Sequence, residues 1–235
     1  MLSATEIQSR IRQNHLNRVV VPLIADGQLE SGVEGSGCFF ESDNLLFFVT
    51  AAHVAQAIQA APERVGVPER PGGGACYTLG KGRMAFTDPE REDVAVFRID
   101  EDTVVQRIQQ SGYRILTQKD VAVTMPSNRM GLCYGWPNSC AVTHNGTVSG
   151  SPVGMLVPII GKDNLYLTLR WPEADDVPVL KGISGSPIWA VQECENTWSP
   201  DEEIRLLGVE HTIKKGEYVR GTLWSVVSQA MATLL

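Results

Sequence analysis

The hydrophobic residues of this chain fall in short runs separated by Gly, Pro, Asn and Asp, the pattern of many short strands. Residues 18–25 (RVVVPLIA) are β-branched and predict a first strand. Residues 35–40 and 45–50 (LLFFVT) predict a pair around the turn Glu41-Ser42-Asp43-Asn44. Residues 93–99, 121–124, 130–134, 188–191, 204–210 and 217–223 add further strands, and residues 141–148 bracket an Asn145-Gly146 turn. Residues 155–160 and 165–170 flank the turn Gly161-Lys162-Asp163-Asn164. Helical signals are fewer. Ser3 and Glu6 have capping-box spacing and open a helix over 4–16, residues 54–61 have helical composition, and 101–110 are polar and helix-compatible. Leu223, Val226, Val227, Met231 and Leu234 repeat at helical spacing. Residues 68–75 (PERPGGGA) read as a loop. Together these elements predict an all-β chain of two antiparallel barrels. The expected organisation is an N-terminal helix (1–17), a first barrel (18–105), a linker (106–119), a second barrel (120–222) and a C-terminal helix (223–235).

With 235 residues the chain has room for one large domain or two of about 100 residues each. Its 43% hydrophobic and 20% charged residues exclude a disordered or coiled-coil chain. A net charge of −7 argues against nucleic-acid or anionic-membrane partners, which call for clustered Lys and Arg. The five cysteines (Cys38, Cys76, Cys133, Cys140 and Cys194) form no CxxC pair and are expected to be reduced thiols in a reducing compartment. No signal-peptide core and no apolar stretch of about 20 residues is present, so the expectation is a soluble, cytoplasmic protein. No HExxH, EF-hand spacing or phosphate loop points to a metal or cofactor, and none is expected.

Three short segments carry candidate chemistry. They are Thr50-Ala51-Ala52-His53 after an apolar strand, Asp93 opening the strand 93–99, and Gly182-Ile183-Ser184-Gly185-Ser186-Pro187 in a tight loop. A serine hydroxyl is a poor nucleophile at neutral pH and needs a base, for which His is suited. The base needs a carboxylate to hold its second nitrogen, and the developing oxyanion needs preorganised N–H donors. Gly182 has the backbone freedom to aim one donor, and the Ser184 N–H would be the second.

The order His53, Asp93, Ser184 in a β-rich chain resembles the trypsin-like (chymotrypsin-fold) serine peptidases, over about residues 35–225. Gly35-Ser36-Gly37 ahead of the histidine, Tyr134-Gly135-Trp136-Pro137, Leu207-Gly208-Val209 and Gly216-Glu217-Tyr218-Val219 are similar to that family's segments. The resemblance implies two six-stranded barrels with the site between them. It makes His53 the general base, Asp93 its orienting carboxylate, Ser184 the nucleophile, and Gly182 with Ser184 the oxyanion hole. It implies a serine endopeptidase acting through an acyl-enzyme on a protein or peptide substrate.

Two departures matter. Ile183 stands where zymogen-activated members have Asp, and Val54 stands where many secreted members have a cysteine that would pair with Cys38. Both fit bacterial intracellular relatives, and the missing activation device leads us to expect control by substrate access, a protein activator or a complex partner. The pocket base falls at Pro178, which implies an apolar or small substrate side chain. Val209, Glu210, His211 and Tyr218 are candidate substrate contacts, although Glu210 and His211 would also suit a surface strand. Asp175 and Asp176 would suit either the pocket rim or an acidic surface loop. His15 and His144 have no partner pattern. The alternative function is a catalytically silent peptide-binding relative on the same fold. A triad hydrolase of the α/β type is disfavoured, because its Ser precedes Asp and His.

Overall fold

The computed structural model describes residues 4–25, 33–60, 65–88, 90–144, 147–173, 179–192 and 199–235. The chain is mostly β. Helix α1 (Ala4–Asn17) leads into β1 (Val20–Ala25), β2 (Val33–Ser42) and β3 (Leu45–Ala51), followed by α2 (Ala52–Ala60). Strands β4 (Val65–Arg70), β5 (Gly73–Tyr77), β6 (Gly82–Phe86) and β7 (Val94–Ile99) precede α3 (Asp102–Gln110). The second half holds β8 (Met130–Gly135), β9 (Ala141–His144), β10 (Thr147–Gly150), β11 (Val153–Lys162), β12 (Tyr166–Arg170) and β13 (Pro187–Val191). It ends with α4 (Pro200–Glu203), β14 (Ile204–Lys214), β15 (Tyr218–Leu223) and α5 (Trp224–Ala232).

Six strands close a barrel in the order β11-β12-β15-β14-β13-β8. The other strands form a nine-stranded sheet, β6-β7-β3-β2-β1-β4-β5-β10-β9. Two six-stranded barrels were expected. Here the second body is instead a large sheet, extended by the β9–β10 hairpin of the second half, whose Val148 pairs with Gly74 of β5. That docking depends on glycine. A Cβ at Gly73 would lie 2.0 Å from the Val148 carbonyl oxygen, and Gly72, Gly73 and Gly74 all have positive φ. The stretch 68–75, expected to be loop, is therefore a hairpin of β4 and β5 whose glycines allow close sheet contact. Strand β6, half-exposed and without a clear alternation, gave no signal in the sequence. Residues 121–124 are not a strand, since only Val121 makes an isolated bridge, to Leu206.

The β2–β3 hairpin is the most regular part of the first sheet. Asp43 and Asn44 both take positive φ (52° and 61°) in a two-residue turn, the left-handed pair that matches strand twist. Phe39 and Phe48 face one apolar cluster with Phe97 and Ile108, while Phe40 and Phe47 face a second cluster shared with Trp136, Trp189 and Trp224. Both faces are buried, which is why LLFFVT reads as a continuous apolar run. The second cluster joins the sheet to the barrel. The barrel interior is a third cluster, including Ile183, Ile188, Leu167 and Val219.

The terminal helices are tied down. Arg12 donates to both oxygens of Glu203 (2.7 and 2.5 Å), and His15, which carried no partner pattern in the sequence, lies 2.5 Å from Arg114 through Nε2. Arg83 and Arg98 both donate to the Leu234 carbonyl at 2.9 Å. Cys38, Cys76, Cys133 and Cys140 are free thiols; Cys194 lies outside the described residues. No helix among the described residues is long and apolar enough to cross a membrane.

Candidate active site

His53 is the second residue of α2, delivered by the end of β3. Asp93 immediately precedes β7, which pairs with β3 so that Ala51 faces Val94. This register sets the two side chains together. His53 Nδ1 lies 2.7 Å from Asp93 Oδ2, and the His53 backbone N–H donates to Oδ1 at 2.9 Å. The carboxylate thus also satisfies an orphan donor at the first turn of α2, as a cap supplied from another strand. Asp93 is buried while the His53 side chain is 46% exposed, so the imidazole presents its other nitrogen toward solvent or a substrate.

Asp93 sits at φ +46°, a left-handed conformation that Asp tolerates better than most residues. The barrel holds it there. The hydroxyl of Tyr166 in β12 donates to the Arg91 carbonyl, and that of Thr222 in β15 donates to the Glu92 carbonyl. The Ala52 N–H donates to the Asp93 carbonyl at 3.0 Å.

Ser184 lies in the loop before β13, half-buried. Gly182 and Gly185 both have positive φ (100° and 90°). A Cβ on Gly185 would lie 2.0 Å from the Ser36 carbonyl oxygen, 2.2 Å from Thr50 Oγ1 and 2.9 Å from the Ala51 nitrogen. The glycine therefore lets the Ser184 loop lie directly against the residues leading to His53. Within the loop the amides of Ile183, Gly185 and Ser186 donate to Leu180, Glu210 and Ile183 carbonyls. The amides of Gly182 and Ser184 have no acceptor among the described residues, which leaves both donors available to an oxyanion.

Ser36, which sequence reasoning placed only as part of a glycine-flanked segment, holds this loop. It is fully buried; its N–H donates to the Ser184 carbonyl (2.7 Å) and its Oγ to the Gly182 carbonyl (3.0 Å). The Trp136 N–H donates to the same Oγ at 3.1 Å, and Thr50 Oγ1 donates to the Ser36 carbonyl at 2.7 Å. The serine in Gly35-Ser36-Gly37 was visible, but the Gly182 carbonyl it holds is 146 residues away.

The candidate substrate residues are distributed differently. Pro178, Asp175 and Asp176 lie outside the described residues. Val209 is fully buried in the cluster between sheet and barrel, so its side chain offers no substrate surface. Glu210 is also fully buried, which excludes the surface-strand reading; neither carboxyl oxygen has a partner among the described residues, and burial, reinforced by Asp93, pushes its pKa up to about 8. His211 packs against Tyr166 and lies 4.0 Å from Asp93 Oδ2; burial lowers its pKa to about 4, against the opposing pull of Asp93. Tyr218 is half-buried under the Arg220 guanidinium. The pocket beside Ser184, about 340 Å³, is lined instead by Trp171, Val179, Leu180, Lys181, Ile213 and Lys215. No group of three or more His, Cys, Asp or Glu side chains among the described residues is arranged to hold a metal.

Neither a protein-family model nor a curated protein sequence matches the chain significantly. Solved structures do match. The atomic-resolution structure of HBP aligns at a TM-score of 0.59 with 13% identity, covering 97% of this chain and 94% of that one. A scabies mite inactivated protease paralogue aligns at 0.56 with 13% identity, over 96% and 98% of the two chains. A structure described for the coupled folding and binding of the Sesbania mosaic virus VPg protein aligns at 0.52 with 19% identity, over 91% and 90%. The similarity is to the trypsin/chymotrypsin serine-protease fold, and at these identities it establishes the fold alone.

Proposed function

We propose that the chain is a serine endopeptidase in which His53, Asp93 and Ser184 act as base, orienting carboxylate and nucleophile. The observation that carries the reading is the double contact of Asp93 with His53, to the backbone N–H and to Nδ1. An Nδ1–H held by a buried carboxylate leaves Nε2 unprotonated and able to accept the serine proton. Ser184 then attacks the scissile carbonyl, and the oxyanion meets the N–H groups of Gly182 and Ser184. His53 returns the proton to the leaving amine, and water hydrolyses the acyl-enzyme by the same base.

A serine-directed fluorophosphonate tests the reading. Wild-type protein should be labelled covalently and Ser184→Ala should not. The second reading, a silent peptide-binding relative, is favoured by one neighbour of the same fold being described as an inactivated protease paralogue. Absence of labelling in wild-type protein, alone or with cell lysate supplying an activator, would establish the silent form.

Ser36→Ala is expected to slow labelling by about tenfold to a hundredfold while the fold persists. Removing Oγ releases the Gly182 carbonyl and loosens the peptide that links the two proposed donor residues, so the donors are less well aimed; complete loss of one donor costs about 10²–10³. It also strands the Trp136 N–H, at about 1–3 kcal/mol of stability. Labelling kinetics and urea unfolding measure the two effects separately; unchanged labelling would remove Ser36 from the positioning role.

A further inference from the structure

We propose that the pocket beside Ser184 receives an acidic side chain, the Glu or Asp on the acyl side of the bond to be cleaved. The proposal rests on the peptidase reading for the word "cleaved", while the pocket chemistry stands on its own lining. Leu180 is buried, and Trp171 and Ile213 are half-buried, so they offer apolar wall to the methylenes of a side chain. Lys181 and Lys215 are the two cationic residues of the lining, one on the Ser184 loop and one just past β14.

Among the described residues, the acidic side chains near the pocket are engaged by other cations. Glu217 is engaged by Lys214 at 2.9 Å, and Glu173 lies 3.8 Å from Arg170. Among the described residues, neither Lys181 nor Lys215 has an ion-pair partner. In a protein of net charge −7, two cations lining one pocket run against the overall charge balance. A cationic substrate side chain would be repelled there. A neutral apolar one would fill the walls but give the lysines nothing to pair with, whereas a carboxylate does both. The proposal differs from the apolar or small side chain expected from Pro178, which lies outside the described residues.

Ser184→Ala protein, which holds peptides without turnover, allows the pocket to be read independently of catalysis. Binding is measured by fluorescence anisotropy for product-like peptides identical except for a last residue of Glu, Gln, Leu or Lys. Glu should bind about tenfold tighter than isosteric Gln, with Lys weakest, and high salt should shrink the difference. The further pair Lys181→Glu and Lys215→Glu should reverse the order of Glu and Lys. Equal binding of Glu and Gln, tightest binding of Leu, or a Glu preference untouched by the charge reversals would overturn the proposal. Fluorophosphonate labelling of wild-type protein separates the two ideas: labelling without a Glu preference defeats the pocket alone, and a Glu preference without labelling defeats the peptidase alone.

Discussion

Replacement of Asp93 by Asn is expected to lower kcat about 10⁴-fold, a loss near 5.5 kcal/mol of transition-state stabilisation. The substitution isolates the chemistry. Asn tolerates the left-handed φ of +46° as well as Asp does, so the backbone at the start of β7 has no new strain to release. The amide oxygen can still accept one of the two hydrogen bonds that His53 makes, either from its backbone N–H or from Nδ1. The amide nitrogen must then face the other donor. If it faces Nδ1, the imidazole is driven to the tautomer with its proton on Nε2, which cannot take a proton from Ser184. Steady-state peptide hydrolysis and the rate of fluorophosphonate labelling should fall together, with thermal stability changing far less. A loss of tenfold or smaller would mean that Asp93 serves α2 as a cap and does not orient a base.

The pair His53–Asp93 was legible because its register is local to two adjacent strands. Runs such as LLFFVT and DVAVFRI announced β3 and β7, and the residues at their ends carried the motif. The loop around Ser184 was legible as a tight turn from its glycines, and as a candidate site only through its order after His53 and Asp93. What supports the loop was not legible. Ser36, Thr50 and Gly185 meet only because β2 and β3 are laid against a segment far along the chain, and no local pattern encodes that contact. The glycine run 72–74 pointed away from a strand by propensity, whereas β10 needed those missing side chains to approach β5. For the same reason a closed first barrel was expected from its strands, although pairing between the halves built a nine-stranded sheet. Glu210 looked like a surface residue by type, yet the β13–β14 pairing carries it inside. Its N–H donates to the Ser186 carbonyl and its carbonyl accepts from Gly185.

That buried carboxyl gives the protein an expected loss of stability on the alkaline side of neutrality. Burial first, and the Asp93 carboxylate second, raise the Glu210 pKa from 4.5 to about 8. Between those values the folded protein keeps a proton that the unfolded chain releases, so the contribution is full below about pH 4.5 and is lost as pH rises through about 8. His211 acts in the opposite sense. Its folded value near 4 lies below the unfolded 6.5, so its contribution is present above 6.5 and is lost as pH falls toward 4. The two trends oppose each other between about 4.5 and 6.5, and above 6.5 the Glu210 slope is left uncancelled by His211. The other titratable groups that act on this pair are His53 and Arg220, which both lower the His211 value, and the Cys133 thiol, which burial and Glu210 hold protonated throughout. Urea unfolding should therefore give a stability that falls by about 2 kcal/mol from pH 6.5 to pH 8. Glu210→Gln, neutral at every pH and nearly isosteric, should flatten that fall. Asp93→Asn removes the second cause of the shift and should move the fall to lower pH. A wild-type profile with the same slope as Glu210→Gln would mean that Glu210 is already ionised in the folded protein.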